Sequence, residues 1–294
     1  MRNDFCLFIL SHRRADNVLT YQTIQKTSYT GKLFIVVDDQ DQQLDQYRNN
    51  FKDKLLTFSK MEVSKTTDCG DNFNDYRTPL YARNACFDLA RKVGCKYFMV
   101  LDDDYSVFFH MIDKNMQFGH WKIKTTMEES LEALIDYYES CPIITSIAMA
   151  QGGDFIGGKT SIFHETGKAI GMRRKAMNSF LCSVDRPFKY VARLNDDVTT
   201  YVTLGSRGQL FLTVLALALN QKITQKQSGG LTEAYLDSGT YIKSFYSVMY
   251  MPSCVQIGDL GNYQIEGSPD FRIHHKIIWP RAVPKILREC HRKP

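Results

Sequence analysis

Three consecutive carboxylates, Asp102, Asp103 and Asp104, close the segment YFMVLDDD and are the residues of this chain best suited to chemistry. Adjacent acids repel one another, and a divalent cation relieves that repulsion. Hard oxygen ligands suit Mg²⁺ or Mn²⁺, which can bridge the diphosphate of a nucleotide. A charged strand-to-loop turn is the plainer reading of the same residues. Position favours the site. Tyr97 to Leu101 is a short apolar run bounded by a turn before it and acids after it, as expected of a buried parallel strand. Ligands of open α/β sheets bind beyond the carboxyl ends of such strands.

The elements around the acids follow from periodicity. Ala82, Ala85, Leu89, Ala90 and Val93 recur at helical spacing and Gly94 supplies a stop, so a helix precedes the acidic strand. Phe5 to Leu10 reads as a first strand, followed by the polar turn Ser11 to Asp16 and a helix through Val18, Leu19 and Ile24. Leu33 to Val37 is a second strand ending in Asp38 and Asp39. Strand, helix and strand within about 35 residues form a βαβ unit, which predicts a parallel sheet with a right-handed crossover. Thr66 to Thr78 is polar and reads as a loop, Val107 to Trp121 as aromatic and irregular, Met127 to Tyr138 as an amphipathic helix, and Ile143 to Ala150 as another buried strand.

Gln151 to Lys159, QGGDFIGGK, has neither GxGxxG nor P-loop order, and reads as a lid loop over an acceptor or as a hairpin turn. Asp196 and Asp197 begin a segment that runs to Gly205. An acid pair there suits a helix start through the macrodipole, and suits a general base equally. From Ile257 onward the chain has glycines, prolines, the pair His274 and His275, and little regular pattern.

At 294 residues and 44% hydrophobic content the chain can fill one large α/β domain or two small ones. No apolar stretch approaches the roughly 18 to 20 residues that span a bilayer, and the N-terminal apolar run is too short for a signal peptide, so a cytoplasmic protein is expected. Eight cysteines without CxxC or zinc spacing read as reduced, mostly buried thiols. The net charge of +5 permits an anionic partner without requiring one. Arg173, Arg174 and Lys175, and the tail residues Lys285, Arg288, His291, Arg292 and Lys293, either bind a phosphate backbone or are simply solvated.

Taken in order, FCLFILSHRR, FIVVDD, ARNACFDLA, FMVLDDD and NDDVTTYVTLGSRG resemble a GT-A glycosyltransferase of the large family-2 type over about residues 5 to 215. The short chain, the glycine-rich loop and HHKIIWP further resemble the TET-associated glycosyltransferases and related phage enzymes, thought to place a sugar on 5-hydroxymethylcytosine in DNA. The resemblance implies an α/β, GT-A (Rossmann-like) fold: a mainly parallel sheet flanked by helices. It implies one domain, with residues 1–215 as its core and 216–294 completing the active site and carrying a basic tail.

Site roles are implied in the same way. Ser11, Asp38, Asp39, Arg83, Asn84, Asp102 and Asp103 would hold the donor, a UDP-sugar such as UDP-glucose or UDP-arabinose, with Asp39 and Asp38 on the base and Arg83 on the diphosphate. Asp104 and Asp102 would bind Mn²⁺ or Mg²⁺, with His274 or His275 completing the shell. Asp197 would be the general base of an inverting displacement. Asp196 stands where the family has Glu, which leaves open which acid reaches the acceptor. DNA would rest on Lys159, Arg173, Arg174, Lys175, Arg207 and the tail, with Trp121, Phe155 or Tyr263 to stack. Two other functions fit the same residues: a glycosyltransferase for a polysaccharide, lipid-linked or protein acceptor, and an inactive GT-A module that binds DNA or a partner.

Overall fold

Each apolar run becomes a strand where its flanking turns allow one. In the computed structural model, which describes residues 1–115, 117–151, 170–171, 173–222, 231–239, 241–260 and 272–284, the chain opens with β1 (Phe5–Leu10), α1 (Leu19–Gln25), β2 (Lys32–Asp38), α2 (Leu44–Phe51), β3 (Leu55–Phe58) and α3 (Lys60–Ser64). It continues through α4 (Leu80–Lys92), β4 (Tyr97–Asp102), β5 (Tyr105–Ile112), β6 (Phe118–Lys122), α5 (Met127–Ser140), β7 (Ile144–Gln151), β8 (Ile170–Gly171) and β9 (Phe180–Ser183). The remainder forms α6 (Asp196–Gly205), β10 (Leu210–Gln221), α7 (Thr232–Ser238), α8 (Ile242–Tyr250), β11 (Val255–Leu260), β12 (Arg272–Ile277) and α9 (Trp279–Ala282).

Ten strands make one sheet in the order β3-β2-β1-β4-β9-β7-β10-β5-β6, with β8 on β10. β1, β2, β3 and β4 are mutually parallel, as are β7 and β10, while β9, β5 and β8 run against their neighbours. The sheet is thus mixed but mostly parallel, with an antiparallel strand inserted between β4 and β7. Helices cover both faces. Cys86, Phe87 and Leu89 of α4 pack with Phe8, Phe98 and Val100, and on the other face Ile24, Tyr47, Leu131 and Ile135 pack with Leu7, Ile9 and Met99. Gly94 closes α4 with φ of +69°, the left-handed conformation that glycine adopts without a Cβ penalty.

Three segments differ from the sequence expectation. Val107 to Trp121 is not irregular: it contributes the β5–β6 hairpin at the sheet edge, with Tyr105, Phe108 and Met111 turned inward. β10 was not singled out, yet its twelve residues pair with both β7 and β5. Downstream of Tyr250, β11 and β12 form an antiparallel ladder that contains both histidines. The glycine-rich segment from 152 to 159 and the basic tail from 285 lie outside the described residues. Seven cysteines fall within them and all are free. Among the described residues no helix is long and apolar enough to cross a membrane.

Candidate active site

β1 has β2 on one side and β4 on the other, so a crevice opens at their carboxyl ends, where the strand order reverses. The three acids sit in that crevice with their backbone pinned. Thr20 donates its hydroxyl to the Asp102 carbonyl at 2.6 Å and its amide to the Asp103 carbonyl at 3.0 Å, and the Lys222 amide reaches the Asp104 carbonyl at 3.1 Å. The end of β4 is therefore clamped between α1 and the end of β10.

Their side chains then diverge. Asp102 faces Arg83, Oδ1 to Nη2, at 3.4 Å. Asp103 accepts from Ser11 Oγ at 2.7 Å and from Arg14 Nη1 at 2.6 Å, and Ser11 also bonds the Tyr47 hydroxyl at 2.7 Å. Asp104 accepts from Gln221 Nε2 at 3.2 Å through Oδ2, whereas its Oδ1 is buried without a hydrogen-bond partner. Burial pushes Asp102 up to about 7, with Arg83 offsetting part of the rise. Burial, reinforced by Asp103, pushes Asp104 up to about 6, and burial also raises Asp103 despite Arg14 and Ser11. A buried, unpartnered, reluctantly ionised carboxylate oxygen is a donor that fits Mg²⁺ or Mn²⁺. Among the described residues no three His, Cys, Asp or Glu side chains come together to hold a metal, so most of a cation's shell would come from ligand oxygens and water.

α4 carries Arg83 inward, leaving it 2% exposed. Its Nη1 meets Asp196 Oδ2 at 2.7 Å, and its guanidinium lies 5.6 and 5.8 Å from the Phe180 and Tyr190 ring centres. Expected on a diphosphate, Arg83 is enclosed by protein and ties β4 to α6. Asn84, the next residue, acts as a backbone clamp: Oδ1 accepts from the Tyr190 amide at 2.8 Å and Nδ2 donates to the Tyr190 carbonyl at 3.0 Å.

α6 begins after Asn195, which holds a left-handed φ of 59° and donates Nδ2 to Ser247 Oγ at 2.6 Å. Asn tolerates this conformation better than other residues with a Cβ. The turn aims the two acids differently. Asp196 points inward to Arg83, and burial raises its pKa while Arg83 opposes the rise. Asp197 accepts from the Val198 amide at 2.7 Å, within the first turn, where the helix dipole favours an anion.

The remaining expected residues are scattered around this centre. Asp38 is held by Lys60, through the amide at 3.2 Å and Nζ at 3.4 Å. Asp39 is exposed at the end of β2, its pKa raised by partial burial and by Asp38. His274 and His275 lie with ring centres 4.1 Å apart. His274 Nε2 is 3.2 Å from Lys175 Nζ. His275 is buried, its Nδ1 3.4 Å from Asn195 Nδ2 and its Nε2 without a partner. Burial, with Lys175, His274 and Lys243 nearby, presses its pKa down to about 2.

Arg173 and Arg207 are exposed, and Arg174 and Lys175 half-buried. Trp121 lies on the edge strand β6, with four strands between it and β4. Lys159, Phe155 and Tyr263 fall outside the described residues. Sequence reasoning missed Arg14, Thr20 and Gln221. Arg14 is the last residue of SHRR and Thr20 stands in the helix that follows it, so both had a local signal, whereas Gln221 ends β10, for which the sequence expectation has no strand.

The model of the TET-associated glycosyltransferase family matches residues 5–230. Solved structures similar to the chain include glucosyl-3-phosphoglycerate synthase from Mycobacterium tuberculosis in complex with Mn²⁺, UDP and glucosyl-3-phosphoglycerate, at 8% identity and a TM-score of 0.47, covering 94% of this chain and 88% of that one. A mycobacterial protein is similar at 7% identity and a TM-score of 0.47, with 94% and 84% covered. CMP:2-keto-3-deoxy-manno-octonic acid synthetase complexed with CTP is similar at 10% identity and a TM-score of 0.38, with 82% and 98% covered. No curated protein matches the sequence.

Proposed function

The chain belongs to the TET-associated glycosyltransferase family, and from that premise we propose that this glycosyltransferase moves a sugar from a UDP-sugar, UDP-glucose or UDP-arabinose, to the hydroxyl of 5-hydroxymethylcytosine in DNA, with Mn²⁺ or Mg²⁺ and with inversion. The observation that carries the donor and metal assignment is Asp104 at the carboxyl end of β4, one oxygen held by Gln221 and the other buried and unpartnered.

Asp104, with Asp102 beside it, would hold the cation. When bound, the cation offsets the charge that gathers on the leaving diphosphate. Asp103 keeps the turn after β1 in place through Ser11 and Arg14. Asp39 stands at the end of β2 for the nucleotide base. Arg83 holds Asp102 and Asp196 from below. Because Asp196 is committed to that pair, Asp197 is the acid assigned as general base. The acceptor oxygen bonds to the anomeric carbon as the bond from that carbon to the diphosphate breaks. The electron pair leaves with UDP, and the hydroxyl proton passes to Asp197. A single displacement of this kind inverts the anomeric centre. A base within duplex DNA reaches such a crevice by flipping out of the stack. The acceptor implies action in the cytoplasm, that of the host if the enzyme is phage-encoded.

The test is mass spectrometry of nucleosides from hydroxymethylcytosine-containing DNA incubated with the protein, Mn²⁺ and a panel of UDP-sugars. A mass gain on that nucleoside alone is expected and identifies the sugar. Metal-dependent release of UDP without any gain would move the acceptor away from DNA and overturn that part of the proposal.

A further inference from the structure

Two residues just ahead of the acids of α6, Ala192 and Asn195, hold left-handed backbone without being glycine, at φ of +76° and +59°. Such conformations are unfavourable for residues with a Cβ and persist only where their surroundings over-determine them. Here they do. The Tyr190 amide and carbonyl are both held by Asn84, and the Val191 amide donates to Thr200 Oγ1 at 3.0 Å. Ala192 and Arg193 donate their amides to the Asp68 and Cys69 carbonyls at 3.0 and 2.8 Å, and the Arg193 carbonyl accepts from Thr78 Oγ1 at 2.6 Å. The Arg193 guanidinium reaches Asp71 at 2.8 Å, Asp75 at 2.7 Å and the Tyr246 hydroxyl at 2.8 Å. Beyond the turn, Asp196 is fixed by Arg83. The chain is thus anchored on both sides of Asn195, whose left-handed φ lets it turn between the anchors.

Asn195 does not use its side chain as an Asn at a helix start ordinarily does. An N-cap Asn accepts from an amide of its own helix, and among the described residues this one makes no such bond. Its Nδ2 instead donates to Ser247 Oγ at 2.6 Å and lies 3.4 Å from His275 Nδ1. Ser247, itself buried, also bonds Thr199 Oγ1 at 3.0 Å, one turn into α6. Asp197 accepts from the amide of its neighbour Val198. Both belong to α6, so the direction of Asp197 follows the start of that helix and hence the turn that precedes it.

We propose that Asn195 is a positioning residue for sugar transfer: its left-handed turn, locked from α8 by Ser247 and from β12 by His275, aims the Asp197 carboxylate at the acceptor oxygen. The inference rests on Asp197 as the general base proposed above and adds what holds that base in line. A general base works only within hydrogen-bond reach of the proton it takes, and a misplacement of about 1 Å can slow a reaction about 10²-fold. Asp104 and Gln221 stand at the ends of β4 and β10, off this turn, so loosening it lowers kcat and spares the donor.

The test is steady-state UDP release with Mn²⁺, a hydroxymethylcytosine-containing duplex 12-mer and UDP-glucose or UDP-arabinose, whichever the parent turns over. The parent is compared with Asn195→Gly, Ser247→Ala, the double variant and Asp197→Asn. Glycine keeps the left-handed φ and removes the lock, so Asn195→Gly is expected to lose about 10- to 100-fold in kcat. KM for the donor, calorimetric affinity for UDP and melting temperature should stay close to those of the parent. Ser247→Ala should lose a similar factor and the double variant no more than either single one, because the two side chains act as one unit. A kcat for Asn195→Gly close to that of the parent, with Asp197→Asn inactive, overturns the lock and leaves the base in place. So does a loss confined to melting temperature or to UDP affinity. Parent-like turnover by Asp197→Asn, or no UDP release by the parent, overturns the reading on which the inference rests, and the inference with it.

Discussion

Asp104 gives one oxygen to Gln221 and keeps the other unpartnered in the interior, so its replacement separates cation binding from folding. Asp104→Asn is expected to lower metal-dependent transfer by about 10² or more, without lowering the melting temperature, as measured by UDP release and calorimetry. The two acids of α6 make a sharper contrast. Asp197→Asn should lose about 10²–10⁴ in transfer while donor binding by titration calorimetry persists. Asp196→Asn should instead leave Arg83 with a single weak partner and destabilise the fold by about 3 kcal/mol in urea unfolding. The acids themselves were legible, because consecutive carboxylates at a strand end or helix start stand out in any sequence. Their division of labour was not. Nothing in ARN says that Arg83 is buried between Asp102 and Asp196, and the bond from Gln221 to Asp104 spans 117 residues.

Among the elements, α4 and the parallel strands β1, β2 and β4 were legible because periodicity and flanking turns agreed. The fourth parallel strand, β3, has only four residues and gave no such signal, and β5 and β10 were not legible either. β5 carries aromatics on both faces, so its alternation is blurred, and β10 runs almost continuously apolar from Leu210 to Leu219, broken only by Thr213, as befits a strand covered on both faces. The junctions between elements are open to test. Asn84→Ala removes both bonds to the Tyr190 backbone and leaves buried groups unpaired, which should cost about 1–3 kcal/mol in denaturant unfolding. Gly205 ends α6 against α9: a Cβ there would lie 2.3 Å from the Ala282 carbonyl oxygen. Gly205→Ala should therefore lower the melting temperature, whereas Gly208→Ala would meet no neighbouring atom within 4 Å and be strained only by its φ of +100°.

At the scale of the whole molecule, the raised carboxylates set a pH dependence. Asp102 and Asp104 are raised to about 7 and about 6, so between about pH 4 and pH 7 the folded chain holds protons that the unfolded chain has released. Their contribution to stability is full below the unfolded value and is lost as pH rises through the folded one. The melting temperature in chelator is expected to fall across that window, and Mn²⁺ should recover part of the loss at the upper end, where it replaces the protons.

The placement of β10 bears on how the chain is made. Among the described residues β5 and β6 join the sheet through β10, which pairs Leu219 with Phe108, a separation of 219 − 108 = 111 residues. On a ribosome adding about 5–20 residues per second, the β5–β6 hairpin leaves the exit tunnel many seconds before its partner strand exists. During that interval Phe108 and Met111, buried in the finished sheet, have no β10 to cover them. Slowing translation between residues 112 and 210 would lengthen that exposure and raise the demand for chaperones, while leaving the βαβ quartet that precedes it unaffected.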